Sequence, residues 1–179
     1  MIQSVGEFRL RRPEPEDRDA LYRFRNDPEI VGLLGGFSSG YSKRDIEEWI
    51  ELHRREQREI IWAIAREADD RCVGHVGLYQ IDHRVRSAEF AILIGDRDCW
   101  GKGLGRAITK AAVAYGFSGL NLNRIHLTVL STNQRARALY GSLGFVEEGC
   151  MRQAQYRNGA HVDVVVMGIL RGEFETLEA

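Results

Sequence analysis

Asp96–Phe117, DRDCWGKGLGRAITKAAVAYGF, is the stretch whose reading decides the fold. Its first half, Trp100-Gly101-Lys102-Gly103-Leu104-Gly105-Arg106, sets glycines at alternate positions in a basic turn. Its second half places Leu104, Ala107, Ile108, Ala111, Ala112 and Tyr115 at helical spacing on one face. Upstream, Ala88–Ile94 (AEFAILI) reads as a buried strand. The order is therefore strand, glycine-rich turn, amphipathic helix. The first turn of a helix leaves backbone N–H groups unpaired, and the helix dipole adds partial positive charge there. Glycine lets a ligand approach the backbone closely and permits positive φ. Lys102 and Arg106 add full charges, so the turn suits a phosphate or pyrophosphate.

Two familiar phosphate sites do not fit. A Walker loop needs GxxxxGK[ST], but Asp96 stands at the first glycine position and Gly103 replaces the magnesium-binding hydroxyl. A dinucleotide fingerprint needs GxGxxG, and its third glycine is Arg106 counted from Gly101 and Ile108 counted from Gly103.

Outward from the turn, the N-terminal side reads as a short strand Phe8–Arg12, then a helix Glu14–Arg25 with Pro15 in its first turn and an end at Asp27-Pro28. Gly32–Gly40 has no period and reads as a loop, either flexible or covering a substrate. Ser42 and Asp45 resemble a capping box opening a helix to about Arg58, with Ile46, Trp49, Ile50 and His53 on one face. Ile60–Ala65, Arg71–Ile81 and Ser87–Ile94 then read as an antiparallel meander. After the central helix come an alternating strand Asn123–Leu130 and a short helix Asn133–Leu143 ended by Gly144. A hairpin, Phe145–Gln155 and His161–Leu170, turns at Asn158-Gly159. By pattern alone this is a mixed α/β domain.

A chain of 179 residues fits one domain, residues 1–179. Hydrophobic content of 44% and a net charge of -1 give no global signal for nucleic acid or membrane binding. Cys72, Cys99 and Cys150 are odd in number and suggest neither a disulfide framework nor a zinc site, which fits a reducing cytoplasm. The five histidines are scattered, so no metal is expected. The N-terminus lacks the apolar stretch of a signal peptide.

The turn Trp100-Gly101-Lys102-Gly103-Leu104-Gly105 and the run Asn133-Gln134-Arg135-Ala136-Arg137-Ala138-Leu139-Tyr140-Gly141-Ser142-Leu143-Gly144-Phe145 together carry a family resemblance. The turn resembles the acetyl-CoA pyrophosphate loop, [Gln/Arg]-x-x-Gly-x-[Gly/Ala], of the GCN5-related N-acetyltransferase (GNAT) superfamily, with Trp100 in the Gln/Arg place. A WGKG turn is similar to the branch that includes the ribosomal-protein N-terminal acetyltransferases. The run resembles the family signature Asn-x-x-Ala-x-x-x-Tyr-x-x-x-Gly-Phe. The resemblance covers roughly Phe8 to Phe174. It implies a central mixed, splayed, mostly antiparallel sheet with helices on both faces, and acetyl transfer from acetyl-CoA to a primary amine in a ternary complex.

That reaction needs a base for the amine, polarisation of the thioester oxygen, and a proton donor for the leaving thiolate. Glu89 is the candidate base, since a carboxylate in an apolar strand is costly unless used. The alternative is a salt bridge to Arg84 or Arg86. The resemblance makes Tyr140 the acid at the sulfur, and Asn133 a contact to the pantetheine arm or an active-site water. Tyr140 could instead be a core aromatic. The implied acetyl-CoA site comprises Ile92, Leu93, Ile94, Trp100, Gly101, Lys102, Gly103, Leu104, Gly105, Arg106, Asn133, Arg137 and Tyr140. Arg137 would reach a phosphate of the coenzyme. An acyl-enzyme on Cys99 is a rival without a visible His–Asp partner. A non-catalytic acyl-CoA-binding module is another, opposed by the presence of both Glu89 and Tyr140.

The acceptor pocket is expected in the N-terminal third, from Phe24, Arg25, Asn26, Phe37 and Tyr41 together with Glu89. Val31–Tyr41 carries no acid. A small polar amine such as an amino sugar or amino-acid derivative is therefore expected ahead of a polyamine, with a peptide N-terminus as a further alternative. A homodimer is one assembly the sequence admits.

Overall fold

The computed structural model describes residues 3–34, 39–56, 58–157 and 159–178. Along the chain these form β1 Gln3–Val5, β2 Phe8–Arg11, α1 Arg18–Arg25, α2 Pro28–Leu33, α3 Lys43–Arg55, β3 Ile60–Arg66, β4 Cys72–Asp82, β5 Ser87–Ile94, α4 Leu104–Ser118, β6 Arg124–Leu130, α5 Gln134–Gly141, β7 Val146–Arg157, β8 Ala160–Leu170 and α6 Arg171–Glu178. The strands make one sheet in the order β1-β2-β3-β4-β5-β6-β8-β7. Every pair is antiparallel except β5 with β6. No helix among the described residues is long and apolar enough to cross a membrane.

Alternation along the central strands builds two cores. Val76, Leu78, Ala88 and Phe90 pack with Leu104, Ile108 and Ala112 of α4 on one face. Leu93 and Cys72 pack on the other face with Leu21 and Phe24 of α1 and Ile46 and Ile50 of α3. Ile46 and Ile50 are fully buried, each contributing roughly 1.5–3 kcal/mol by leaving water. α3 starts where its capping box predicts: Ser42 Oγ accepts from Asp45 N–H at 3.1 Å, and Asp45 Oδ2 from Ser42 N–H at 2.6 Å. The entry to α1 is fixed by Arg11, whose Nη1 and Nη2 donate to the two oxygens of buried Asp17 at 2.7 and 2.8 Å, while its Nε donates to Asp70 at 2.8 Å.

The parallel pair shapes the site. β5 and β6 pair at Ser87–Arg124, Ala88–Ile125 and Glu89–His126, and no further. Past that point β5 stays with β4 as far as Ile94, and β6 stays with β8 as far as Leu130. The two halves of the sheet diverge, because each strand follows its antiparallel partner and its own twist. An opening is left between Phe90–Ile94 and Leu127–Leu130.

Four elements depart from the sequence reading. The stretch after Asp27, for which no helix is expected, begins with α2, where Asp27 Oδ1 accepts from Glu29 and Ile30 N–H and Pro28 takes the first turn. Asp-Pro there ends one helix and starts the next. β1 is too short to show a period. α6 opens with Glu173 accepting from Leu170 N–H at 2.8 Å and buries Phe174 against Phe117. The helix expected from Glu14 opens as a 3₁₀ turn, Pro15–Asp17. Residues 35–38 and the expected turn residue Asn158 lie outside the described residues.

Candidate active site

A cavity of about 1050 Å³ passes through the splay. Gly101, Gly103, Leu104, Gly105 and Arg106 line one end, on the α4 face of the sheet. Arg25, Tyr41, Trp49, His75, Tyr79 and Glu89 line the other, on the face covered by α1 and α3. The edges Phe90–Ile94 and Thr128–Leu130 form the walls between.

At the first end, Gly103 caps α4 with φ +80° and Gly101 has φ +77°. Both are left-handed conformations that glycine adopts without a Cβ penalty. A Cβ built on either would meet nothing within 4 Å, so the space in front of the turn is open. The first intrahelical bond is Ala107 N–H to Gly103 O at 3.1 Å, and Gly103 has no side chain to cap the amides before it. Free amides, the helix dipole and this open space fit a pyrophosphate. Trp100, in the expected Gln/Arg place, braces the turn by donating Nε1–H to Ile94 O at 2.9 Å. Ile92, Leu93 and Ile94 line the wall. Lys102 is exposed and outside the lining. Arg106 lines the cavity while its guanidinium donates to Ser142.

α5 carries Tyr140 into the lining of the cavity. Asn133 caps that helix, its Oδ1 accepting from Ala136 N–H at 3.1 Å, and its Nδ2 reaches Leu33 O at 3.4 Å. Tyr140 is held edge-on to Phe90 with ring centroids 6.1 Å apart, and 5.8 Å from Phe145. Burial pushes its hydroxyl up to about 12, so at neutral pH it is a donor. Glu89 is half-buried on the opposite face, where Gln80 Nε2–H donates to its Oε2 at 3.3 Å. Gln80 sits at a bulge with φ +51°, and that irregularity turns its side chain toward Glu89. The alternative partner Arg86 donates instead to Asn121. Cys99 lines the cavity, but burial and then Asp96 raise its thiol above the usual range, which disfavours the thiolate an acyl-enzyme would need. No cluster of metal-ligating side chains occurs among the described residues.

Besides Lys102, three expected residues sit elsewhere. Arg137 points away from the cavity, its Nε and Nη2 donating to Glu147 at 3.0 and 2.7 Å. Phe24 is core: its ring lies where a Cβ on Gly95 would come within 2.0 Å. One helical step on, Arg25 faces the cavity instead. Asn26 holds the backbone of Tyr41, accepting from its N–H at 2.8 Å and donating to its carbonyl at 3.0 Å, and so positions that ring rather than lining the pocket. Phe37 lies outside the described residues. Sequence reasoning missed His75, Tyr79 and Trp49 in the lining, along with Met151 and Gln155 of β7. Period-2 alternation in β4 could have placed His75 and Tyr79 on one face, but not which face meets the pocket.

A strand pair that opens at a carboxylate, a glycine-capped helix aimed into the opening and a buried tyrosine between them define an N-acetyltransferase of the GNAT type. The model of the acetyltransferase (GNAT) domain family matches residues 7–146, and the chain belongs to that family. It is 32% identical over 168 residues to the N-acetyltransferase p20 of Bacillus licheniformis, covering 92% of this chain and 93% of that protein. It is 32% identical over 170 residues to a spermidine N(1)-acetyltransferase of Vibrio cholerae, covering 94% and 96%. The crystal structure of spermidine N-acetyltransferase from Vibrio cholerae in complex with CoA and spermine superposes with a TM-score of 0.85 at 31% identity, covering 95% of this chain and 99% of that one. The chain is an acetyl-CoA-dependent N-acetyltransferase with the mixed, mostly antiparallel GNAT sheet.

Proposed function

We propose that the enzyme transfers acetyl directly to a primary amine held on the α1/α3 side of the splay, and that the amine belongs to a small polar molecule of the amino-sugar or amino-acid class. The observation that carries the acceptor is charge: Glu89 is the one carboxylate in the described lining, and Arg25 stands in the same wall. A polycation is poorly matched to a wall that holds a single acid and an arginine. Acetyl-CoA supplies the thioester. Glu89 takes the proton of the ammonium, directly or through a water, so that the nitrogen can form the new C–N bond. Tyr140 donates to the sulfur as the C–S bond breaks. The amides of Gly103 to Arg106 hold the pyrophosphate, and Asn133 lies along the arm.

Similarity over nearly the whole chain to spermidine acetyltransferases supports a second reading, a polyamine acceptor. A thiol-release assay with amino sugars, amino acids, spermidine and short peptides separates the readings. The highest kcat/KM is expected for an amino sugar or amino-acid derivative, with Glu89→Gln lowering the rate. Spermidine as best substrate establishes the polyamine reading in its place, and reaction of peptides alone makes the enzyme an N-terminal acetyltransferase.

A further inference from the structure

Arg25 is the last residue of α1, and the acceptor end of the cavity closes on its guanidinium. Its Cζ lies 4.5 Å from the centroid of the Trp49 ring and 5.5 Å from that of Tyr41. Its Nη2 lies 3.3 Å from His75 Nε2. A guanidinium can only donate, so His75 Nε2 accepts and the imidazole hydrogen sits on Nδ1. His75 is 6% exposed. Its Nδ1, like the Nε of Arg25, is buried with no hydrogen-bond partner among the described residues.

The aromatic faces and the imidazole reduce the cost of holding a cation here, but none carries a countercharge. Glu89, the one acid in the described lining, accepts from Gln80, and Glu59, outside that lining, pairs with His53 Nε2 at 3.1 Å. The backbone row of Glu89 is also set off from that of His75. Glu89 pairs with Tyr79 and Leu93 pairs with His75, so the Glu89 and His75 rows are four residues apart, or roughly 13 Å. The phosphates of the coenzyme are not the missing anion by this geometry. Their turn lies on the α4 face, whereas His75, Trp49 and Arg25 lie on the face of α1 and α3.

We propose that Arg25, oriented by His75 and stacked on Trp49 and Tyr41, determines acceptor specificity by binding a carboxylate or phosphate several bonds from the reacting nitrogen. This rests on the acceptor reading above and narrows it to amines that carry an acidic group. A carboxylate or phosphate would take the free donors of a planar fork in charge-assisted hydrogen bonds.

The test uses matched amines that differ only in the anion: glucosamine 6-phosphate against glucosamine, γ-aminobutyrate against butylamine, and glycylglycine against glycylglycinamide. Binding to the CoA-saturated protein is measured by calorimetry, and thiol release is measured separately with acetyl-CoA. In at least one pair the anionic member should bind roughly 10- to 100-fold more tightly. Arg25→Met, which keeps the apolar stem over Trp49, should bring that ratio close to one. Arg25→Lys, which keeps the charge but not the fork, should retain part of it. A preference confined to the phosphate or to the carboxylate pairs supports the proposal and names the group. Equal binding in every pair overturns it, as does a preference that survives Arg25→Met. The two readouts separate its failure from that of the acceptor reading. Anionic amines that bind without thiol release leave the subsite standing and defeat the acceptor assignment; neutral amines acetylated with no preference do the reverse.

Discussion

Replacing Tyr140 by phenylalanine removes one oxygen and keeps the ring that packs on Phe90 and Phe145. The size of the effect follows from the environment of the hydroxyl. Burial holds it at about 12, whereas a free thiol titrates near 8.5. Outright transfer of the proton to the thiolate is therefore uphill by roughly 5 kcal/mol, at about 1.36 kcal/mol per pKa unit. In the proposed mechanism Tyr140 then acts by donating a hydrogen bond to charge that develops on sulfur. Such a bond to a charged group is worth about 1.5–3 kcal/mol, which corresponds to a rate loss of roughly 10- to 150-fold. Single-turnover thiol release at saturating acetyl-CoA isolates the chemical step, and calorimetry with CoA reports the binding step. The expected outcome is a fall in the chemical rate within that range and CoA affinity within about twofold of the parent. An unchanged rate would remove Tyr140 from the chemistry. A loss beyond about a thousandfold would mean that the proton moves fully in the transition state and would refute the hydrogen-bond account. Because the hydroxyl titrates near 12, any alkaline limb in the parent's rate profile below about pH 10 must persist in the variant.

Gly103→Val forces a β-branched side chain into φ +80° and into the space before the amides; CoA affinity measured by calorimetry should drop at least tenfold, and unchanged affinity in a folded variant would remove the turn from the coenzyme site. Arg11→Met strands Asp17, which is 3% exposed, without its partner; the expected loss is about 3–5 kcal/mol, or roughly 6–20 °C in Tm, and a melt within about 2 °C of the parent contradicts it. His75 is held well below the usual imidazole range by burial, then by Arg25 and His53. The unfolded chain alone binds a proton there, so stability is present above about pH 6.5 and lost as pH falls, by up to about 1.4 kcal/mol per pH unit. Urea unfolding of His75→Gln should show a shallower decline from pH 6.5 to 5 than the parent, and equal slopes would show that His75 is not the group responsible.

The sequence by itself determined what depends on near neighbours. The glycine turn and the helix after it, the capping box of Ser42 and Asp45, and the seating of Tyr140 on a short helix capped by Asn133 are all set within a few residues. Capping, backbone sterics and helical period act over that range. The same locality misled at Asp27-Pro28, where a stop signal was also a start signal. Tertiary structure decided which of these local pieces meet. Only the sheet order places β6 beside β5, and only the register stops their pairing at Glu89 and opens the cleft. Only packing turns Phe24 into the core and Arg25 toward the cavity, and brings Arg25 to His75 across 50 positions of chain. Arg137, a plausible phosphate ligand by motif, is captured by Glu147 because β7 runs past α5. Which partner a long charged side chain reaches is set by the strand or helix that the fold brings alongside, a choice made over distances that local sequence pattern does not encode.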